Sequence, residues 1–241
     1  LSPQKICYFD LETSGLDAQK NGVVQIAMLV EIDRKVVGER NWFVQPYRSD
    51  QIAAEALAIN HLTVEQVKSF PLAQIVLSEV KTFLSQYVNR YNGLDKFTPA
   101  GYNVQFDLNF LKQFFLKGGD QFFGSWFNYR TVDPMLCLYW LRYAGLIDLP
   151  NYKLETVCAH FDIGFEGEAH EALADVKATR DLIKLLTTKY LYDWKGENRK
   201  DGEQRKSEQQ GSSDQADGQP EGSAGESEAS TRSGSPASPD A

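Results

Sequence analysis

Apolar residues first gather in short runs of β-branched and aromatic side chains, and only later in helical stripes. Lys5 to Phe9 reads as a buried strand running into a glycine turn at Gly15. Gly22 to Ile32 reads as a second strand and Lys35 to Gln45 as a third, with Asp33-Arg34 between them predicting a tight hairpin. Gln51 to Ile59 reads as a helix broken by Asn60-His61-Leu62-Thr63, and Thr63 with Gln66 predicts a capping box for a short second helix. From Pro71 to Val88, residues such as Val76, Val80, Phe83 and Leu84 mark one face of a longer helix. Phe97 to Tyr102 reads as a short strand near an edge, because Pro99 cannot donate to a ladder.

Asn103 is the candidate N-cap of a helix from Val104 to Lys117 that closes at Gly118-Gly119. Asn128 to Val132 reads as another short strand, followed by helices over Pro134–Tyr143, Tyr152–Phe161 and about Glu171 to Tyr190. Strands come mostly first and helices after, with some alternation between. This predicts an α/β domain in which helices cover a mixed sheet. There is no internal repeat.

Composition changes the picture at the C-terminal end. Gly196 to Ala241 holds no aromatic residue and no Val, Ile, Leu or Met. Such a segment cannot bury enough apolar surface to offset chain entropy, so residues 196–241 are expected to be a disordered, acidic Gly/Ser-rich tail. The tail carries five basic and ten acidic residues, which leaves only −3 of the net charge of −8 on residues 1–195, the expected globular domain. Mild acidity argues against a broad basic nucleic-acid surface, yet bound cations can carry phosphate contacts locally. Cys7, Cys137 and Cys158 are odd in number, scattered and set in apolar patterns. They read as buried thiols in a reducing compartment, neither a disulfide framework nor a zinc site. No apolar run approaches the length of a membrane span and no signal peptide opens the chain. The expectation is a cytoplasmic protein that needs no membrane, although a longer segment can precede Leu1.

Chemistry enters with Tyr8-Phe9-Asp10-Leu11-Glu12-Thr13. Side chains alternate along a strand, so Asp10 and Glu12 share one face while Leu11 turns to the other. Paired carboxylates at a strand end repel each other unless cations neutralise them, and hard divalent ions take oxygen ligands. Asp-X-Glu alone fits a solvated pair equally well, so further carboxylates must converge. Asp107 falls on the helix face of Phe110, Leu111 and Phe114, a face that should be buried; the alternative is an acid stabilising a helix N-terminus. Asp175 falls on the face of Ala172, Thr179 and Leu182, beside small residues Ala174 and Ala178 that allow close approach.

Asp10-Leu-Glu12, Asn103 through Asp107, and His170-Glu-Ala-Leu-Ala-Asp175 together resemble the DEDDh exonucleases of the DnaQ-like superfamily, which includes DNA polymerase proofreading domains and RNA-trimming enzymes. The resemblance spans roughly residues 4–190, with lesser matches at Asp133 and at Tyr152 to Val157. One departure is Asn60-His61, where the family often has His-Gly. His tolerates a left-handed backbone but fills space that glycine leaves open.

The resemblance implies an RNase H-like fold with a mixed five-stranded sheet flanked by helices, and a metal-dependent 3′→5′ exonuclease. The enzyme would act on single-stranded nucleic-acid 3′ ends, DNA before RNA, and release nucleoside 5′-monophosphates. It implies two Mg²⁺ or Mn²⁺ ions per site held by Asp10, Glu12, Asp107 and Asp175, with His170 as general base. His170 is five residues from Asp175 and cannot share its helical face, so a loop position just before the helix is expected. Substrate contacts would come from Thr13, Leu16, Asn103 and Phe106. Leu16 reads equally well as an ordinary core leucine flanking a turn, and Phe106 as a buried aromatic. A DNA polymerase is the partner implied by a proofreading role. An RNA-trimming enzyme, and a non-catalytic nucleic-acid-binding module, are the alternatives; the full acid set with His170 weighs against the second.

Overall fold

The computed structural model describes residues 3–164 and 171–192. His170, the boundary expected at residue 195 and the tail over 196–241 lie outside the described residues. Three antiparallel strands open the fold: β1 (Lys5–Thr13), β2 (Val23–Ile32) and β3 (Lys35–Phe43). Asp33 and Arg34 both take positive φ, at 49° and 67°, which gives the two-residue hairpin a turn that matches the right-handed twist of its strands. Then come α1 (Ala54–Ile59), α2 (Val64–Ser69) and α3 (Ala73–Ser85). The capping box forms as its sequence predicts: Gln66 N donates to Thr63 Oγ1 at 3.2 Å, and Thr63 N donates to Gln66 Oε1 at 2.7 Å.

Strand β4 (Thr98–Ala100) pairs parallel with β1, giving the order β3-β2-β1-β4. Helices α4 (Val104–Lys117), α5 (Pro134–Tyr143), α6 (Leu154–His160) and α7 (Ala172–Leu186) complete the domain. Among the described residues no helix is long and apolar enough to cross a membrane.

The sheet has four strands among the described residues, not the expected five. The segment 127–132 runs beside β4 with two isolated bridges, Phe97–Phe127 and Ala100–Val132, instead of a continuous ladder. Asn128 is the reason. Its Oδ1 accepts from Arg130 N at 2.9 Å, turning the chain, while its Nδ2 is spent on Thr98 Oγ1. The last helix also departs from a plain α pattern. After Leu186 it widens into a π-helical turn over Thr187–Tyr192, where the Thr187 and Thr188 hydroxyls donate to the carbonyls of Ile183 and Lys184.

Strand β1 divides the core. Cys7, Phe9 and Leu11 join a cluster built with α3 and α4, while Ile6 and Tyr8 join Ala172 and Val176 of α7 on the opposite face. The period of two therefore sends Asp10 and Glu12 to the α7 side. Buried Ala174 and Ala178 lie on the same helix. Arg180 fastens α7 to β2 by donating from Nε and Nη2 to Glu31 Oε2, each at 2.6 Å, in a pair that water barely reaches.

Removing one partner of such a pair strands a buried charge. Arg180→Met is expected to destabilise the protein by about 3–5 kcal/mol, read from the denaturant midpoint. The double variant with Glu31→Gln should recover part of that loss. A loss below about 1 kcal/mol for the single variant, the value of an exposed pair, would show that this contact does not hold α7.

Candidate active site

Asp10 and Glu12 end β1 where a bulge between Glu12 and Thr13 shifts the register against β2. Asp107, only 5 % exposed, reaches the same strand end from α4, and its Oδ1 accepts from Leu11 N at 3.1 Å. The inward orientation expected of Asp107 is what the structure shows, although it also lies in the first turn of α4. Asp175 sits half-buried in the first turn of α7, between buried Ala174 and Val176. The four carboxylates therefore face a common space at the end of β1, drawn from one strand and two helices.

Their electrostatics follow. Burial raises the Asp10 carboxyl well above the usual carboxylate range, and the charges of Asp107, Glu12 and Asp175 raise it further. Glu12 is pushed up to about 7 by burial and then by Asp175. Asp107 is pushed up to about 8, mainly by burial; the Leu11 amide bond opposes the shift, and Glu12 and Asp133 add to it. Among the described residues, every charge acting on Asp10 is another carboxylate. No three described His, Cys, Asp or Glu side chains close to ligating distance around one point. An all-oxygen donor set with uncompensated negative charge fits hard divalent cations such as Mg²⁺ or Mn²⁺.

The surrounding loops are tightly built. Ser14 is fully buried: its N donates to Gly22 O at 2.8 Å, its Oγ donates to Gln51 O at 2.7 Å, and Gly22 N donates to its Oγ at 2.9 Å. Gly15 packs so closely on the Asn21 carboxamide that a methyl group there would collide with it. Lys117, at the far end of α4, donates to Ala18 O, Asn21 O and Asp50 Oδ1 at 3.2, 3.1 and 2.5 Å. This rigid loop nevertheless leaves Leu16 86 % exposed, which excludes the core-leucine reading. Leu16 and partly buried Phe106, the residue before Asp107, line one cavity of about 700 Å³.

Thr13 is buried, with its hydroxyl donating to Gly15 O at 2.7 Å. Asn103 departs from its expected role: it is exposed, left-handed at φ 53°, and its side chain caps nothing. Asp133 takes over, accepting from Asn103 N and Val104 N at 3.2 and 3.1 Å while also capping α5 through Met135 N at 3.0 Å. One carboxylate thus satisfies backbone donors at the starts of two helices.

Two positioning contacts escaped the sequence reading. Asn60 Nδ2 donates to Thr13 O at 3.1 Å, so the Asn60-His61 break, with His61 at φ 53°, fixes the end of β1. The helix break was the available signal for Asn60. Lys117 gave none, because its partners lie 67–99 residues away.

Comparison with known proteins extends the picture. A family described as Exonuclease (RNase T) matches residues 7–183. The DNA polymerase III PolC-type of Halalkalibacterium halodurans is 26 % identical over 175 residues, covering 73 % of this chain and 11 % of the polymerase. That of Bacillus subtilis is 21 % identical over 187 residues, covering 77 % and 12 %. Among solved structures, E. coli exonuclease I in complex with a dT13 oligonucleotide superimposes with a TM-score of 0.64 at 20 % identity, over 79 % of this chain and 43 % of that one. Exonuclease I from Methylocaldum szegediense gives 0.63 at 21 %, over 78 % and 41 %. The chain spans about a tenth of the polymerases and less than half of the exonuclease I chains. These neighbours bear out the RNase H-like α/β fold.

The raised carboxyl groups set a pH dependence. Glu12 and Asp107 keep protons in the folded state that the unfolded chain sheds near pH 4. The folded state therefore binds more protons between about pH 4 and 8, and stability falls as pH rises through that window. In EDTA the melting temperature should decline across it, and Asp10→Asn should raise the pH 8 value by several degrees, at about 2–4 °C per kcal/mol. Mg²⁺ or Mn²⁺ should restore the wild-type value at pH 8. A flat profile in EDTA would remove the repulsive cluster from the account.

Proposed function

Because the chain belongs to the RNase T exonuclease family, within the DEDDh (DnaQ-like) superfamily, we propose that it is a divalent-metal-dependent 3′→5′ exonuclease. It hydrolyses phosphodiester bonds at single-stranded DNA 3′ ends and releases nucleoside 5′-monophosphates. The observation that carries this reading is the convergence of Asp10, Glu12, Asp107 and Asp175 on one space in which the described charges acting on Asp10 are all negative. The likeness to PolC-type polymerases and to an exonuclease I bound to a DNA oligonucleotide supports DNA as the substrate and a proofreading role beside a polymerase.

In this reading Asp10, Glu12, Asp107 and Asp175 would together hold the Mg²⁺ or Mn²⁺ ions, two per site. Bound there, such ions activate water and offset charge on the attacking and leaving oxygens. Asp107 is held in orientation by the Leu11 amide. Exposed Leu16 and partly buried Phe106 pack against the terminal base, and the loop bonds around Ser14 and Lys117 keep Leu16 in place without induced ordering. The Thr13 backbone N–H and Asn103 contact the 3′ end of the strand. His170, directly before the residue that precedes α7, accepts the proton of the attacking water, for which it must be neutral. Cys7, Cys137 and Cys158 are free thiols, in keeping with a reducing, cytoplasmic setting.

Digestion of 5′-labelled single-stranded DNA and RNA of one sequence, in Mg²⁺, Mn²⁺ or EDTA, tests the reading. Stepwise shortening of the DNA from its 3′ end, absent in EDTA, is expected. Shortening from the 5′ end, or a full rate in EDTA, would overturn it; faster digestion of RNA would overturn the DNA preference alone.

Two variants test the assigned roles. Asp10→Ala should lose turnover while staying folded. His170→Gln should slow single-turnover cleavage by about 10²–10⁴-fold, with metal affinity by calorimetry close to wild type. A large loss of affinity with little change in the saturated rate would make His170 a ligand instead.

A further inference from the structure

Two cavities flank the solvent-facing side of α4, and Lys112 lines both. The first is the space of about 700 Å³ that Leu16 and Phe106 share with Asn109 and Gln113. The second, of about 390 Å³, lies between α4 and the segment 120–129 and is bounded by Gln105, Leu116 and Phe123. Both fall within the roughly 300–1,000 Å³ of ligand sites. Lys112 is exposed and stands six residues beyond Phe106, about 9 Å further along the helix axis. It is thus farther from Asp107 than the proposed terminal-base position.

The charge balance around Lys112 is unusual for this acidic chain. Among the described residues its ammonium makes no ion pair or hydrogen bond, whereas Lys117 on the same helix makes three contacts. The acids lining the two cavities are already matched. Asp17 pairs with Lys20 at 3.0 Å. Asp120 pairs with both Arg90 nitrogens, at 3.1 and 3.2 Å, and with Lys81 at 2.9 Å. The other polar side chains of the lining, such as Gln105, Asn109 and Gln113, are uncharged. A free cation between two part-apolar cavities complements a chain of phosphates carrying bases. It does not complement an acid-free apolar peptide, which would leave the ammonium unpaired.

We propose that Lys112 binds a backbone phosphate upstream of the 3′-terminal nucleotide and that the second cavity receives an upstream base. This forms a binding subsite for single-stranded nucleic acid across α4. The inference rests on the exonuclease reading and adds a preference for substrates long enough to cross the helix.

Initial rates of 3′-end cleavage with oligothymidylates of two and of eight nucleotides, measured in Mg²⁺ across a salt series, test it in the full chain. For a single strand, each phosphate contact adds about 0.7 to the slope of log affinity against log salt. Lys112→Gln should therefore make the slope of log kcat/KM shallower by about 0.7 for the longer substrate, with kcat preserved. The dinucleotide slope should be the same in both proteins, and Lys112→Arg should retain the wild-type slope for the longer substrate. An unaltered long-substrate slope in Lys112→Gln, or equal changes for both substrates, would overturn the subsite while leaving the exonuclease reading intact. Failure of the wild-type protein to cleave either substrate would overturn both.

Discussion

Repulsion among four carboxylates at the end of β1 is the constraint on which the rest of the structure depends. Left to itself, a strand end carrying Asp10 and Glu12 would turn toward water. Here it is trapped, because Cys7, Phe9 and Leu11 lock one face of β1 into the α3–α4 core while Ile6 and Tyr8 lock the other under α7. Burial on both faces supplies the free energy, on the order of 25 cal/mol per Å² of apolar surface, that holds the acids in place. Asp107 and Asp175 arrive on the two helices that cover those faces. The charge cluster is thus a by-product of sandwiching one strand between two helices, where burial first and mutual repulsion second raise the Asp10, Glu12 and Asp107 carboxyls.

Long-range polar ties keep the strand end from relaxing. Asp133 gathers the starts of α4 and α5, so Asp107 cannot swing away without breaking bonds at two helix termini. Asn60 holds Thr13 from the other side, and Lys117 clamps the loop after β1 against α4. Each tie uses a charged or amide group on backbone atoms, where distance and direction are both restricted. Rigidity is what lets Leu16 stay exposed: a mobile loop would fold so apolar a side chain back onto the protein.

Local pattern made most elements legible in the sequence, and long-range bonding decided the exceptions. The hairpin at Asp33-Arg34, the Thr63–Gln66 capping box and α5 from Pro134 to Tyr143 depend on neighbours within a few residues, and they formed as predicted. The strand expected over 128–132 failed because Asn128 spends its side chain on a turn and on Thr98, which no periodicity reveals. Asn103 failed as a cap for a similar reason, with Asp133 arriving from 30 residues away. At the site, buried acids on apolar helix faces were a strong signal because burial of charge is costly wherever it occurs. Lys117 and Asn60 carry no such anomaly in their own segments, so only the fold reveals what they hold.

The distribution of charge joins these strands of argument. A chain with a net charge of −8 repels a polyanion at long range, and a cluster of carboxylates at its centre repels it most at close range. On the proposed reading, cations reverse that field only where they bind, so attraction to the phosphate backbone is concentrated at the cluster instead of spread over the surface. The lysines of α4 follow the same economy: Lys117 is consumed in structure, while Lys112 has no ion pair among the described residues. The carboxylates that destabilise the metal-free fold would then make productive contact with nucleic acid conditional on metal. Stability and substrate recognition would respond to the same ions because they share one electrostatic origin.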